Sequence, residues 1–205
     1  RAIKVLVEAD PAPDALERFR REAEALARIG GRGVVPVHET GSEKRSLYFV
    51  MDEMPGGSLR DRLTKEGKLD WREATLVVSK ISRTLAACHA KGLVHRDVKP
   101  DNVLLDEQGE PRLADFGIVR DLTAASLTQS GIALGTAPYM SPEQLTGERV
   151  DGRTDVYALG AMLHELVTGK CPYPGDELPD VLALSMARAR EALPDLVPDV
   201  PAALE

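Results

Sequence analysis

The stretch that decides the fold is VHRDVKPDNVLLDEQGEPRLADFG, Val94–Gly117. It contains a short apolar run, Val103–Leu105, which is followed by a polar turn at Asp106–Gly109. Ionisable and amide side chains stand at the ends of these predicted strands, within a segment that is rich in loops. Catalytic groups collect in such loops when a rigid scaffold positions them. We therefore expect the chemistry of the protein to lie here.

Helical patterns flank this stretch on both sides. Upstream, Asp70 and Glu73 form a predicted capping box in front of an apolar stripe at helical spacing, which ends near Gly92. Downstream, a second stripe predicts a helix over Thr154–Thr168, with Gly169 as its C-terminal cap. The central loops are therefore predicted to lie among helices.

The first part of the chain has a different pattern. It predicts a strand, a helix and two more strands, at residues 1–8, 14–30, 34–39 and 47–52. Gly41-Ser42 is the predicted turn between the last two strands, which would make them an antiparallel pair. After Pro55 the helical period takes over, with Ser58 as a predicted helix cap. We therefore place a boundary there, between domains at residues 1–54 and 55–205.

The composition excludes several classes of protein. The 205 residues can bury a core, and hydrophobic and charged fractions of 43% and 29% argue against disorder. A net charge of −7 with scattered basic residues argues against nucleic acid as a partner. Even the most apolar stretch, Val156–Val167, contains His164 and Glu165, so no membrane contact is expected. Cys88 and Cys171 lie far apart, which predicts reduced thiols and a cytoplasmic location.

The central stretch resembles the protein kinase family, and in particular the serine/threonine kinases of bacteria. The catalytic loop HRDxxxxN of that family occurs as His95–Asn102, and its DFG motif occurs as Asp115–Gly117. The resemblance implies an α+β, two-lobed protein-kinase-like fold, in which a small antiparallel-sheet lobe joins a mainly helical large lobe. It also implies transfer of the γ-phosphoryl group of ATP to Ser or Thr hydroxyls of protein substrates.

By this resemblance, four residues of the stretch carry the chemistry. Asp115 and Asn102 are the expected ligands of Mg²⁺, with Mn²⁺ as a substitute, because such ions prefer hard oxygen atoms. Asp97 is the expected base that orients the substrate hydroxyl. Lys99 would place a positive charge beside the transferred phosphoryl group, and a lysine here is typical of kinases that act on Ser or Thr.

The beginning of the chain extends the resemblance. Ala2-Ile-Lys4 is similar to the end of the VAIK strand motif, with Arg1 in place of the valine. Lys4 is then expected to touch the α- and β-phosphates, and Ala2 to line the same nucleotide site. Glu22, on the following predicted helix, stands where the family has the ion-pair partner of that lysine.

The segment Leu47–Ser58 resembles the last strand of the small lobe and the hinge that receives adenine. Met51 is the expected gatekeeper residue. The backbone of Asp52 and Met54 is expected to bond to the edge of the base. Leu104, on the strand after the catalytic loop, is expected to line the nucleotide site as well.

Residues 115–143 resemble an activation segment. Thr136 is expected to lie near the catalytic loop and to help admit a Ser or Thr substrate. Thr128 and Ser130 stand where bacterial relatives autophosphorylate. A phosphate there would pair with Arg96 and order the segment. Autophosphorylation between two copies would require self-association.

Two further residues of the resemblance are expected to be structural. His95 is expected to pack in the core and to bond to the backbone, without a role as acid or base. Asp155, at the start of the second predicted helix, is expected to anchor the backbone of the catalytic loop.

The chain departs from the family pattern at both ends. No GxGxxG motif precedes Lys4, and the sequence stops where relatives enter their last helices. We therefore expect a domain truncated at both ends, with a marginally stable small lobe, from a parent protein that is a candidate for membrane anchoring. The alternatives are a pseudokinase scaffold or binding module, or an inactive fragment. The intact Lys4, Asp97, Asn102 and Asp115 argue against a pseudokinase.

Overall fold

The structure, a computed structural model, describes residues 1–7, 33–43, 46–116, 137–173, 178–187, 197 and 201. Several sequence predictions fall outside these ranges. They are the helix predicted from Asp14 and the candidate residues Glu22, Thr128, Ser130 and Thr136.

Three antiparallel strands form a sheet from the first part of the chain. They are β1 (Ala2–Val7), β2 (Val37–Glu43) and β3 (Ser46–Met51), in the order β1-β3-β2. In this register Lys4 lies opposite Phe49. Ile3 and Val5, which alternate with Lys4, are 66% and 53% exposed. Side chains of successive strand residues point to opposite faces, so Lys4 faces away from these two apolar side chains.

The prediction of a turn at Gly41-Ser42 is wrong, because both residues belong to β2. Gly41 pairs with Tyr48 of β3. A Cβ atom on Gly41 would lie 2.3 Å from the Tyr48 ring. The glycine therefore serves a close approach between strands, which a sequence pattern does not distinguish from a turn. The antiparallel pairing of the two strands is confirmed.

The strand predicted to begin at Val34 begins instead at Val37. Val34 forms a parallel bridge with Leu113, and the amide of Val35 donates to the Leu113 carbonyl at 2.9 Å. Pro36, which has no N–H to donate, separates the two pairings. The segment thus ties the sheet to the loops at the centre of the chain.

Helices dominate the remainder of the described chain. They are α1 (Leu59–Glu66), α2 (Trp71–His89), α3 (Pro142–Leu145), α4 (Gly152–Thr168) and α5 (Leu178–Ala187). Between α2 and α3 lie the short antiparallel strands β4 (Val103–Leu105) and β5 (Pro111–Leu113), and 3₁₀ turns at Pro100–Asn102 and Ala137–Tyr139. No helix in the described part of the chain has the length and apolarity that crossing a bilayer requires.

The helix caps confirm most of the predicted signals. Ser58 caps α1 in a capping box with Asp61. Gly169 ends α4 in the left-handed conformation, with φ 75°. At α2, Asp70 accepts a hydrogen bond from the amide of Arg72. In the predicted capping box Glu73 would accept from the amide of Asp70, but it forms an ion pair with Arg62 at 2.5 Å instead. The partner of the Glu73 carboxylate is therefore the guanidinium of Arg62 and not the backbone amide of Asp70.

The core forms where α2 packs against α4 and against β5, and β4 contributes side chains to it as well. Its fully buried side chains come from each of these elements: Ile81, Leu85, Val103, Leu113, Met162 and Leu166. These residues form the apolar base on which the loops between α2 and β5 rest. The polar segment of the sequence is thereby held on a rigid base.

Candidate active site

A buried carboxylate holds the backbone of the central loop. Asp155, in the first turn of α4, has no solvent exposure. Its two oxygens accept hydrogen bonds from the amides of His95 and Arg96, at 2.9 and 2.8 Å, and the Nε2 atom of His89 lies 2.7 Å away. A buried charge is tolerated when donors surround it in this way. The prediction that Asp155 anchors this loop is confirmed.

Among the described residues, Arg96 and Asp115 are the non-glycine residues with positive φ, at 64° and 55°. Such left-handed backbone costs about 1–3 kcal/mol for residues other than glycine and persists only where neighbouring bonds enforce it. For Arg96, one enforcing bond is the one from its amide to Asp155. The strained positions lie in the two motifs that carry the candidate site residues.

Gln144 of α3 holds the same loop from a second side. Its Nε2 donates to the carbonyl of Arg96 at 2.9 Å, and its Oε1 accepts from the amide of Ser141 at 3.2 Å. Sequence reasoning missed this residue. The Ser141–Gln144 capping-box spacing could have suggested the local bond, but no sequence signal points to Arg96.

His95 is fully buried beneath the site, and its ring centroid lies 4.4 Å from that of Phe116. Its Nε2 lies 2.9 Å from the carbonyl of Ala114, and the amide of Asp97 donates to its Nδ1 at 3.3 Å. Both contacts suit a neutral ring with its proton on Nε2. Burial lowers the pKa of His95. The prediction of a core histidine bonded to backbone is confirmed.

Asp97, Lys99 and Asn102 come together above this core. The 3₁₀ turn brings Asn102 back to Asp97, where its Nδ2 donates to the Asp97 carbonyl at 2.8 Å and to Oδ2 at 2.9 Å. The ammonium of Lys99 lies 3.5 Å from the same Oδ2. The side chains of Asp97 and Lys99 are 14% and 15% exposed, so both remain within reach of a ligand.

Lys4 and Asp115 form an ion pair that joins the sheet to the segment after β5. Both side chains are about one-third exposed. The lysine can bind phosphate oxygens, and the carboxylate can bind a hard cation. The structure thus brings together two of the sequence-predicted site residues that are 111 residues apart in the chain, while Glu22 lies outside the described residues.

The residues predicted to receive adenine lie around one end of the paired strands β1 and β3. Ala2 pairs with Met51 across β1 and β3. Residues 52–57, which we call the connector, then lead from β3 toward α1. They run beside β4, where Leu104 forms a bridge with Ser58, the residue after the connector. The connector and Leu104 are therefore neighbours, as a shared site requires.

A divalent cation would find suitable donors in Asp115 and Asn102. Because Asn102 directs Nδ2 toward Asp97, its Oδ1 is the amide atom suited to a metal. In the described part of the chain, no cluster of three or more His, Cys, Asp or Glu side chains could hold a metal ion. Mg²⁺ commonly binds through one or two carboxylates together with substrate phosphates. The donor set therefore fits Mg²⁺ bound with a phosphorylated ligand.

A second polar network, also missed by sequence reasoning, braces the loop from below. Arg60 of α1 donates to Glu165 of α4 at 2.8 Å and to the Tyr139 hydroxyl at 2.6 Å, and it also pairs with Asp101. The Tyr139 hydroxyl donates to Glu165 as well. Burial raises the pKa of Tyr139, which keeps the phenol protonated as a donor. Arg60 and Glu165 are 105 residues apart, so no local pattern could have paired them.

Comparison with known proteins gives consistent results. A family model described as protein kinase domain matches residues 1–195. The serine/threonine-protein kinase PknL of Mycobacterium tuberculosis is 45% identical over 175 residues, which cover 85% of this chain and 43% of PknL. The serine/threonine-protein kinase PknA of the same organism is 40% identical over 206 residues, which cover 98% of this chain and 47% of PknA. The chain thus spans less than half the length of these curated relatives.

Proposed function

This chain belongs to the protein kinase domain family, and we propose that it is a serine/threonine kinase that uses ATP and Mg²⁺. The observation that carries the proposal is the cluster of Asp97, Lys99 and Asn102, held by partly buried bonds, together with the Lys4–Asp115 pair. Two named serine/threonine kinases at 40% and 45% identity support the same substrate class. The proposed acceptors of the phosphoryl group are Ser or Thr hydroxyls of protein substrates.

Asp97 acts on the substrate hydroxyl. Its carboxylate is held by the amide of Asn102 at 2.9 Å, which fixes the direction in which it can accept a proton. The hydroxyl oxygen forms a bond to the γ-phosphorus of ATP, the bond from that phosphorus to the β,γ-bridging oxygen breaks, and ADP leaves. Positioning and charge stabilisation supply most of the rate in such transfers.

Lys99 and Lys4 supply positive charge at two places. The Lys99 ammonium lies 3.5 Å from the carboxylate of Asp97, so it stands beside the reacting hydroxyl and can stabilise charge on the transferred group. Lys4 is the residue that would hold the α- and β-phosphates. Asp115 and Asn102 would hold Mg²⁺, or Mn²⁺ as a substitute, which when bound neutralises charge on the phosphates.

Regulation through the segment after Asp115 is part of the proposal. Thr128 and Ser130 are the proposed sites of autophosphorylation between two associated copies, and Arg96 is the proposed partner of the added phosphate. Thr136 is proposed to help admit the acceptor hydroxyl. We also propose that the lobes divide after residue 54, and that the reaction takes place in the cytoplasm, where both free cysteines would remain reduced.

Mass spectrometry of the purified chain tests the proposal. The chain is incubated with Mg·ATP beside an Asp97→Asn variant, which keeps the size of the side chain and removes its basicity. Phosphate on Thr128 or Ser130 in the first sample alone is the expected result. General-base catalysis contributes about 10²–10⁴-fold, so the variant should show almost none. Phosphate in neither sample, or equally in both, would overturn the proposal.

A further inference from the structure

His38 occupies an irregular position in the sheet. Val37 pairs with Met51 of β3 and Glu39 pairs with Val50, so His38 is an extra residue between two consecutive pairs. Such a β-bulge bends the strand and changes the direction of the side chain that it carries. Bulges are common beside active sites for this reason. The bulge lies opposite the last residues of β3, directly before the connector.

The side chain of His38 meets the first residue of the connector. Its Nε2 atom lies 2.6 Å from Oδ1 of Asp52. An ionised carboxylate only accepts hydrogen bonds, so the Nε2 atom carries the hydrogen and donates it. The two side chains are 32% and 44% exposed, which makes this a half-exposed contact at the surface.

Asp52 is therefore held twice by the same short segment. Its backbone amide donates to the carbonyl of Pro36 at 3.0 Å, and its carboxylate accepts from His38. The two bonds fix both the main chain and the side chain of the residue at which the connector leaves β3. The resemblance to protein kinases predicts that the backbone of this residue and that of Met54 bond to adenine, and we include these two contacts in the proposed function.

We propose that His38 is a positioning residue for the adenine site: the bulge aims its imidazole at Asp52, and this bond sets the place of the connector backbone. The inference rests on the proposed function, because it assumes that the connector receives the base. The inference predicts an effect on nucleotide binding that is separate from phosphoryl transfer. Loss of the bond weakens the binding of adenine compounds, while the phosphoryl-transfer groups on the central loop stay in place.

Binding of Mg·ADP and of adenosine to the purified chain, measured by calorimetry, tests the inference. His38→Ala should raise the Kd of both ligands by about two- to fivefold, the range that a half-exposed pair supports. Adenosine has no phosphates, so an equal loss for both ligands assigns the effect to the nucleoside part of the ligand and not to its phosphates. At saturating ATP the kcat of this variant should equal that of the wild type, while the KM for ATP rises.

Three further variants make the test selective. His38→Gln keeps a neutral donor near the position of Nε2 and should restore binding. A His38→Ala/Asp52→Ala double variant should lose no more than His38→Ala alone, because His38 acts through Asp52. Tyr48→Phe removes another side-chain contact between β2 and β3, the 3.4 Å bond to Glu39, and should bind as the wild type does.

The outcomes separate the two proposals. A wild-type chain that binds neither Mg·ADP nor adenosine would overturn the proposed function and this inference with it. A wild-type chain that binds both, with His38→Ala binding as tightly, would overturn the inference alone. Equal losses in His38→Ala and Tyr48→Phe would do the same, because they would reduce the effect to general weakening of the sheet.

Discussion

The central loop and the three-stranded sheet hold their functional residues in different ways. The loop is fixed by buried groups: Asp155 and His95 have no exposure and Asn102 has 5%. The sheet presents Lys4, whose side chain is 38% exposed, and the His38–Asp52 pair at 32% and 44%. Water screens the contacts on the sheet, whereas a broken bond in the loop leaves buried groups without partners. Phosphoryl transfer should thus depend on rigid parts, and nucleotide contact on adjustable ones.

The largest expected effect follows from removing the buried anchor of the loop. Asp155→Ala leaves two backbone amides and His89 without their acceptor, so the free energy of unfolding should fall by about 3–5 kcal/mol. Urea unfolding measures this loss. Asp151→Ala is the matched control on the same helix: it removes an exposed N-cap and should cost about 1 kcal/mol. Equal losses in the two variants would break the distinction between buried and exposed carboxylates.

Two isoleucines test the same distinction with identical chemistry. Ile81 of α2 is fully buried, whereas Ile3 of β1 is 66% exposed. Ile81→Ala should lower the free energy of unfolding by about 2–5 kcal/mol, because it leaves a cavity in the core. Ile3→Ala should change it by less than about 0.5 kcal/mol. A large loss for Ile3→Ala would mean that another surface covers β1 in solution, and the sheet would then resemble the core.

Acid should destabilise the loop through His95. Because burial lowers its pKa in the folded state, the unfolded chain binds more protons once the pH falls below about 6.5. The contribution of His95 to the free energy of unfolding is therefore complete above that pH. It is lost as the pH falls, with a slope of at most about 1.4 kcal/mol per pH unit. Protonation at Nδ1 would also break the bond that this atom accepts from the amide of Asp97.

Urea unfolding at pH 7.5 and 5.5, in the wild type and in His95→Leu, measures this effect. The rest of the sequence is identical in the two proteins, so the difference between the two slopes belongs to His95. The wild type should lose more stability toward acid than the variant does. Identical slopes would show that the ring is charged or solvated in the folded protein.

Much of this contrast could be predicted from the sequence. The motifs around Asp97 and Asp115 carry the family resemblance, and apolar periodicity predicted α2 and α4 with errors of a few residues at their ends. Those signals are local: a stripe every three or four residues and a cap at each end decide a helix. The anchoring role of Asp155 and the burial of His95 followed from the resemblance.

What could not be predicted depends on contacts between distant residues. The bulge at His38 and the close approach of Gly41 to Tyr48 depend on how β2 pairs with β3, and register is not visible in either strand alone. Arg60 contacts Glu165, which lies 105 residues further along the chain, and a charged residue on a helix predicts only a solvated face. The bond from Gln144 to the carbonyl of Arg96 also could not be predicted, because the two residues are 48 positions apart.

Substitution of Gln144 gives the smallest expected effect and tests the difference between the central loop and the sheet directly. Gln144 acts on the loop through its hydrogen bonds to Arg96 and Ser141. Gln144→Met keeps the length of the side chain and removes the bonds to Arg96 and Ser141, which should lower the free energy of unfolding by about 1 kcal/mol. Because the strained Arg96 backbone then loses one of its supports, kcat for transfer to a Ser/Thr peptide library should fall by up to about tenfold, the factor that 1.4 kcal/mol represents.

The KM for ATP should stay unchanged in Gln144→Met, since the bonds that this variant loses go to Arg96 and Ser141, and neither residue is predicted to bind ATP. Gln144→Glu keeps the oxygen that faces Ser141 but places a second acceptor against the Arg96 carbonyl, so its kcat should be lower still. This pattern is the reverse of the one expected for His38→Ala, which changes KM and leaves kcat intact. If Gln144→Met and His38→Ala each changed both KM and kcat, the central loop and the sheet would be coupled. The burial of a residue would then not decide which kinetic constant it controls.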